Sequence, residues 1–207
     1  AYTSTENPSL PDIVQRHGLK LTAGAWLDRR RDHNRLELDT LIKAARSHPA
    51  IERVIVGNES VLRGDLTAKQ LIPYLDRARR ALKVPVSTAE PWHVWLKYPE
   101  LAQHVDYIAV HLLPYWEGIP RRNAIKDVLH RYDELRAVFP DKPIVIGEVG
   151  WPSNGDRFKF ATPSVADQAR FLREFFEVAR ERKLDYFVME AFDQPWKMTG
   201  EGRVGAY

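Results

Sequence analysis

The sequence has 207 residues, 44% of them hydrophobic, which is enough for one sizeable core but hardly for two. Its formal net charge is only +3, because 31 Lys and Arg residues are mixed with 28 Asp and Glu residues, so charge alone predicts no partner. Without cysteine there is no disulfide framework and no thiolate metal site, and no apolar run reaches the roughly 20 residues of a membrane-spanning helix.

Strand and helix patterns alternate through the first half of the chain. Unbroken apolar runs predict buried strands, and apolar residues spaced three and four apart predict helices. A capping-box pattern, Thr67 with Gln70, marks the start of one helix. The predicted elements are a helix over Leu10–Arg16, a strand over Leu19–Trp26, a helix near Asn34–Arg46, a strand over Val54–Gly57, a helix after Thr67 and a strand over Val84–Thr88.

The same alternation continues through the second half. Its predicted elements are a strand over Tyr107–His111, a helix around Asn123–Val138, a strand over Ile144–Gly147, a helix near Ser164–Arg182 and a strand over Asp185–Met189. Six strands are therefore predicted, and a seventh is expected as a short remnant at Ala1–Thr3.

Repeated βα units with short connections predict a parallel sheet. Seven strands fit a (β/α)8 TIM-type barrel that lacks its first βα unit, and we expect residues 1–207 to form a single catalytic domain that is cropped at both ends. An open doubly wound sheet is the alternative. No Gly-rich phosphate-binding turn follows any predicted strand, which argues against it.

Two glutamates come directly after predicted strands. Glu59 follows Val54–Gly57, and Glu148 follows Ile144–Gly147. Since the carboxyl ends of barrel strands carry the chemistry in such folds, this pattern favours a catalytic carboxylate pair. The alternative for either residue alone is a surface charge in a loop or at a helix N-terminus.

Other polar and aromatic residues follow the strands as well. Tyr115 is placed to donate a hydrogen bond to Glu148, and His111 is either a cleft residue or a structural hydrogen-bonding group. Carboxylates accept hydrogen bonds from sugar hydroxyls, and indole faces stack on pyranose rings, so the remaining candidates are predicted to bind sugar. Packing in the core is the alternative for Glu90 and for the tryptophans. These candidates are Glu90, Trp151, Glu190 and Trp196.

Four motifs give the sequence a family resemblance. They are Val56-Gly57-Asn58-Glu59, Leu112-Leu113-Pro114-Tyr115, the run from Gly147 to Ser153 (GEVGWPS), and the run from Glu190 to Lys197 (EAFDQPWK). In this order they resemble glycoside hydrolase family 17, and its bacterial branch most. The resemblance extends from the region of Tyr2 to the last residue.

The resemblance implies a clan A barrel that acts on β-1,3-glucans by a retaining double displacement. It implies that Glu59 is the acid/base and that Glu148 is the nucleophile. It also implies that Asn58 donates a hydrogen bond to the sugar 2-hydroxyl, with a structural role in the turn as the alternative. Retention needs two carboxyl groups about 5 to 5.5 Å apart. The acceptor is left open between water, as in an endo-β-1,3-glucanase, and a second glucan chain, as in a glucanosyltransferase, with transfer slightly favoured.

By the same kinship, the substrate is a β-1,3-gluco-oligosaccharide or polysaccharide, and the enzyme faces the periplasm or the extracellular space. A longer form of the protein is expected to be tethered to a membrane glucan synthase. A non-catalytic β-glucan-binding module is the alternative function.

Other chemistries find little support in the sequence. The seven histidines show no metal-ligand spacing, and no serine has the context of a nucleophile elbow, so we expect no metal and no cofactor. Two basic clusters, Arg29–Arg31 and Arg77–Arg80, raise the possibility of nucleic-acid binding. Neighbouring aspartates and the absence of interleaved aromatic residues favour solvated surfaces instead, and no nucleic-acid partner is predicted.

Overall fold

The computed structural model describes residues 1–206 and alternates strands with helices along that range. Within it, the strands are β1 (Leu21–Ala25), β2 (Ile51–Asn58), β3 (Val86–Pro91), β4 (Ile108–Leu112), β5 (Ile144–Val149) and β6 (Asp185–Val188). The α-helices are α1 (Leu10–Arg16), α2 (Arg31–Ser47), α3 (Ala68–Ala81), α4 (Trp92–Lys97), α5 (Pro114–Glu117), α6 (Arg121–Val138), α7 (Val165–Arg182) and α8 (Met198–Glu201). Short 3-10 helices lie at Pro99–His104, Pro195–Lys197 and Arg203–Ala206.

The six strands assigned within the described residues form one sheet in chain order. The pairs β1–β2, β2–β3 and β5–β6 are parallel. Every residue of β3, β4 and β5 is buried, the polar ones included, as expected for parallel strands covered on both faces. The predicted parallel α/β sheet is confirmed. No helix within residues 1–206 is long and apolar enough to span a lipid bilayer.

The seventh strand predicted at Ala1–Thr3 is wrong, because no strand is assigned there. The amino group of Ala1 donates a single hydrogen bond to Thr22 O at 3.0 Å, and the hydroxyls and N–H groups that follow bind a side chain of α2 instead.

The chain divides into two compact units. The first comprises Ala1–Val110 and Phe139–Ile144, and the second comprises His111–Val138 and the residues from Val145 onward. The helices of the first unit bury an apolar stripe made of Leu38, Leu41, Leu71, Leu75 and Ala78. The helices of the second unit bury Val128, Tyr132, Leu135, Phe171 and Phe175.

The helix starts follow the sequence signals closely. Thr67 Oγ1 accepts a hydrogen bond from Gln70 N–H at 3.2 Å, and Gln70 Oε1 accepts one from Thr67 N–H at 2.9 Å, so the predicted capping box begins α3. Ser164 caps α7 in a similar way by accepting from Asp167 N–H.

Four strands run past their predicted carboxyl ends, β2 and β4 by one residue and β3 and β5 by more. β3 extends to Pro91 and β5 to Val149, so Glu90 and Glu148 lie within strand ends rather than after them. Backbone pairing continues past the apolar runs, since Ala89 O accepts from Glu59 N–H and Val149 O accepts from Met189 N–H. A strand therefore continues as far as its backbone hydrogen bonds to the neighbouring strand continue, even where its side chains are polar.

A buried carboxylate, Glu37 in α2, holds the first residues of the chain. Its carboxylate accepts from the Thr3 hydroxyl at 2.8 Å, from Ser4 N–H at 2.9 Å and from Trp26 N–H at 2.9 Å. Burial alone would raise the pKa of Glu37, but the hydrogen bonds from Ser4, Thr5 and Trp26 outweigh it and hold this pKa below its usual value. Glu37 therefore stabilises the fold in its ionised form.

We predict that Glu37→Gln lowers the free energy of unfolding at pH 7 by about 1–3 kcal/mol, because an amide leaves buried donors unpaired. The folded-state pKa is depressed, so the contribution is present above the unfolded-state pKa of about 4.3 and is lost as pH falls through the folded value. Urea unfolding at pH 7 and at about pH 3.5 should therefore show a gap between wild type and variant that narrows at acid pH.

The matched control is Glu52→Gln, which removes an exposed partner of Lys20. Its unfolding free energy should stay within about 0.5 kcal/mol of wild type. An equal gap for Glu37→Gln at both pH values, or no gap at pH 7, would contradict the role given to Glu37.

Candidate active site

Glu59 lies directly after β2 in an unusual backbone conformation. Its φ is 51°, in the left-handed region that costs a non-glycine residue about 1–3 kcal/mol. Gly57, two residues earlier, has φ 86°, and a Cβ there would lie 2.9 Å from Ser60 Oγ. The pairing of β2 with β3 is irregular between Ile55 and Asn58. The chain thus turns sharply at the carboxyl end of β2.

Hydrogen bonds on both sides hold the backbone of Glu59. Its N–H donates to Ala89 O at 2.7 Å, and its carbonyl accepts from Arg63 N–H at 2.9 Å. The Glu59 side chain is half-buried. The left-handed conformation is therefore fixed by its neighbours, and such local strain clusters at functional sites.

Asn58 is buried beside Glu59, and its side-chain oxygen is unusual. Asn58 is 8% exposed, and its Oδ1 has no hydrogen-bond partner among residues 1–206. A buried acceptor without a donor costs about 1–3 kcal/mol. The Asn58 amide can therefore accept a hydrogen bond from a hydroxyl group that enters the site.

Glu90 is not placed to bind a substrate, which corrects the sequence prediction. Its side chain has no exposed surface, and its carboxylate accepts from Val61 N–H at 2.8 Å and from Leu62 N–H at 3.2 Å. These N–H groups belong to the turn after Glu59 and need acceptors once buried. Glu90 holds this turn in place from the neighbouring strand.

In the second unit, Glu148 is paired with a histidine. Glu148 at the end of β5 is 8% exposed, and His111 at the end of β4 is 2% exposed. His111 Nδ1 lies 3.5 Å from Glu148 Oε2. At this burial an imidazole can fix the orientation of a carboxylate and stabilise its charge. His111 therefore contacts Glu148, and its role as a cleft residue or a structural hydrogen-bonding group stays a prediction.

The predicted hydrogen bond from Tyr115 to Glu148 is wrong. The Tyr115 hydroxyl donates to Asp156 O at 2.7 Å, and its ring lies 6.2 Å from the ring of Trp151. The short helix α5 turns Tyr115 towards the loop that follows β5, and the backbone carbonyl there captures the hydroxyl. Burial, followed by the charge of Asp156, raises the pKa of Tyr115.

A pocket in the second unit is lined by loops that follow β4, β5 and β6. Its walls include Trp116, Trp151, Glu190, Phe192 and Asp193. Trp151 is 2% exposed and donates its indole N–H to Thr162 O. The sequence predicted Trp151 to stack on sugar or to pack in the core, and the structure shows it packed in the pocket wall. Trp116 is 41% exposed.

Glu190 and Trp196 follow β6 in different environments. The Glu190 carboxylate accepts from Lys197 Nζ at 3.0 and 3.1 Å and from the amide of Gln194. It is half-buried at the pocket wall, which leaves a neutralised carboxylate facing the pocket. Trp196 is 70% exposed, and its ring is available for stacking.

The sequence did not single out Trp116 or Arg63. Trp116 directly follows the motif Leu112-Leu113-Pro114-Tyr115, so its position beside a family motif could have indicated it. Arg63 has no signal of its own, because the bonds that tie it to Asn58 and Leu27 go to backbone carbonyls. His111 and Glu148 are of metal-ligand type, but their 3.5 Å contact already gives each a partner. The absence of a metal and of a cofactor stays a prediction.

Arginines of the two basic clusters are paired with carboxylates. Arg30 pairs with Asp28 at 2.5 Å, Arg79 with Asp106 at 2.9 Å, and Arg77 with Asp39. These ion pairs neutralise much of the positive charge that a nucleic-acid phosphate would need. They support the interpretation of both clusters as solvated surfaces.

The comparisons with known proteins point in one direction. A protein of Aspergillus clavatus named "Probable glucan endo-1,3-beta-glucosidase btgC" is 30% identical over 213 residues, which cover 90% of this chain and 30% of that protein. A "Glucan 1,3-beta-glucosidase" of Schizosaccharomyces pombe is 29% identical over 161 residues, which cover 71% of this chain and 50% of that protein. The chain thus spans between about a third and a half of these relatives.

A solved structure matches the entire chain. The glycoside hydrolase family 17 β-1,3-glucanosyltransferase of Rhizomucor miehei has a TM-score of 0.89 and 27% identity, with 100% of this chain and 78% of that chain covered. An active-site mutant of the same enzyme, solved with laminaritriose, matches at 26% identity. These relatives are fungal, so the resemblance to the bacterial branch is not supported.

The family model of the BtgE/BtgC glycoside hydrolase domain matches residues 2–207, almost the whole sequence. The chain therefore belongs to the BtgE/BtgC glycoside hydrolase domain family.

Proposed function

We propose that this chain is the catalytic domain of a retaining enzyme that acts on β-1,3-glucan, with Glu59 as acid/base and Glu148 as nucleophile. The observation that carries the proposal is the buried pair of Glu148 and His111 at strand ends, in a chain that matches a β-1,3-glucanosyltransferase over its full length. The names of the relatives, glucan endo-1,3-β-glucosidase and glucan 1,3-β-glucosidase, support the same substrate.

In the first step, a carboxylate oxygen of Glu148 attacks the anomeric carbon of the donor glucan. The bond from this carbon to the leaving oxygen breaks, and Glu59 gives its proton to that oxygen. The product is a glycosyl ester on Glu148. His111, whose Nδ1 lies 3.5 Å from Glu148 Oε2, orients the carboxylate before the attack.

In the second step, Glu59 takes a proton from the hydroxyl of an acceptor. The acceptor oxygen attacks the anomeric carbon, and the ester bond to Glu148 breaks, so the configuration is retained after two inversions. The mechanism requires the two carboxyl groups to lie about 5 to 5.5 Å apart. The buried Asn58 amide is proposed to accept a hydrogen bond from the 2-hydroxyl of the reacting sugar.

We propose that the pocket in the second unit binds further sugar residues. Glu190 and Asp193 offer acceptors for hydroxyl groups, and Trp116 offers an aromatic face. The exposed ring of Trp196, six residues after Glu190, extends the set of stacking groups. The ion pair with Lys197 holds the Glu190 carboxylate in place at the pocket wall, where its oxygens can accept from sugar hydroxyls.

The acceptor in this proposal is a second glucan chain, so the activity is transfer. The solved structure that matches the full chain is a glucanosyltransferase, which supports this choice. The names of the curated relatives support hydrolysis, in which water is the acceptor. Water and sugar hydroxyls compete for the same glycosyl ester, and the difference lies in how well each is positioned.

The proposal extends to the complete fold and its location. We propose a TIM-type (β/α)8 arrangement, which the six-stranded sheet in chain order and the TM-score of 0.89 with the R. miehei structure support. We also propose a periplasmic or extracellular-facing location, and tethering of a longer form to a membrane glucan synthase. Both of these rest on family resemblance.

We predict that Glu148→Ala lowers kcat on an activated aryl β-laminaribioside by at least about 10³-fold, because the nucleophile is gone. Added azide should restore turnover, because it fits the space of the lost carboxylate. It should yield an α-glycosyl azide, identified by NMR, since it enters by a single inversion.

The control is Glu181→Ala, which removes an exposed carboxylate at the end of α7 and should leave turnover unchanged. Normal turnover by Glu148→Ala would refute the nucleophile assignment. Glucan binding by the wild type without any turnover would instead favour the non-catalytic module.

We predict that wild type lengthens a laminari-oligosaccharide acceptor that is fluorescently labelled at its reducing end, when an unlabelled donor is supplied. Capillary electrophoresis should resolve labelled products longer than the acceptor. Glu148→Ala is the control and should give none. If every labelled product is as short as the acceptor or shorter, the enzyme is a hydrolase and the transfer proposal fails.

A further inference from the structure

Arg63 is bonded to both peptide groups that flank Glu59. Its guanidinium donates from Nη1 to Asn58 O, the carbonyl of the peptide group that precedes Glu59. Its backbone N–H donates to Glu59 O at 2.9 Å, the carbonyl of the peptide group that follows. One residue therefore fixes the two planes whose relative rotation sets φ and ψ of Glu59.

The guanidinium is itself held by groups at the end of β1. Nη2 donates to Leu27 O at 3.0 Å, and the guanidinium carbon lies 4.1 Å from the centroid of the Trp26 ring. Nε donates to Asp65 Oδ2 at 2.9 Å. With three of its nitrogens bonded and one face on an indole, the side chain has little freedom, and it ties the end of β1 to the end of β2.

Glu59 needs such support because its conformation is not one that its own side chain favours. A φ of 51° is left-handed, and a glutamate released from its neighbours relaxes to a negative φ. That rotation would swing the side chain away from its present direction. The hydrogen bond from Glu59 N–H to Ala89 O holds the N–H edge of the peptide group that precedes Glu59, and the Arg63 guanidinium holds the carbonyl edge of the same group.

We propose that Arg63 is a positioning residue for the Glu59 carboxyl, and that its guanidinium aims this group at the leaving oxygen. The inference rests on the proposed function of Glu59 as acid/base. Arg63 acts through the backbone and touches no reacting atom. Lysine cannot replace it, because an ammonium group lacks the planar fork that reaches two carbonyls together.

If Arg63 positions Glu59, its replacement should lower kcat/KM by an amount that depends on how basic the leaving group is. A basic leaving group needs a well-placed proton, whereas 2,4-dinitrophenolate leaves without one. For Arg63→Met, kcat/KM should fall by about 10- to 100-fold on a phenyl β-laminaribioside and by less than about 3-fold on the 2,4-dinitrophenyl substrate. Arg63→Lys should show the same dependence, and it serves as the second variant if Arg63→Met does not fold.

The matched control is Arg46→Met. Arg46 also donates from its guanidinium to a backbone carbonyl, Ala81 O, at 3.1 and 2.9 Å, but at a helix end with no bond to Glu59. Its kcat/KM should be unchanged on both substrates. Thermal unfolding of each variant shows whether a loss of activity reflects a loss of folded protein.

The variant Glu59→Gln tests the acid/base role of Glu59 separately from the positioning role of Arg63. It should show the strongest leaving-group dependence of all the variants, and if it shows none, the acid/base assignment fails and the role of Arg63 fails with it. If Glu59→Gln shows the dependence while the Arg63 variants lose activity equally on both substrates, or not at all, only the Arg63 inference is overturned.

Discussion

The sharp turn at the end of β2 is the constraint on which the proposed chemistry depends. Gly57 and Glu59 both have positive φ on either side of Asn58, which a chain ending a strand does not adopt unaided. Ala89 O and Arg63 hold the backbone of Glu59, and Glu90 holds the N–H groups of the residues that follow. The fold stores strain at the residue that is proposed to move a proton.

Glu148, the second proposed catalytic carboxylate, is held in place in a different way. Glu148 lies inside β5 with ordinary strand geometry, and its environment comes from a side chain, His111, at the end of the neighbouring strand in the sequence. A nucleophile must keep one direction, and the buried imidazole of His111 helps to fix it. An acid/base must change its protonation state in each step, and backbone support fixes its direction without fixing its charge.

The sequence predicts the strands and helices well, because unbroken apolar runs and the capping box at Thr67 are local signals. It fails where a partner comes from a distant loop. The Tyr115 hydroxyl goes to Asp156 O, and Glu90 goes to the turn after Glu59, and neither contact leaves a trace in the spacing of residues. Arg63 and Glu37 were missed for the same reason, since both bind backbone groups that any sequence possesses.

The central claim is that a glycosyl ester forms on Glu148. Incubation with 2-deoxy-2-fluoro-β-laminaribiosyl fluoride, whose fluorine slows the second step, should inactivate the enzyme and add one glycosyl group per chain. Proteolysis and tandem mass spectrometry should locate this group on Glu148, and an acceptor glucan should slowly release it. A label on any other residue, or turnover without a label under these conditions, would contradict the account.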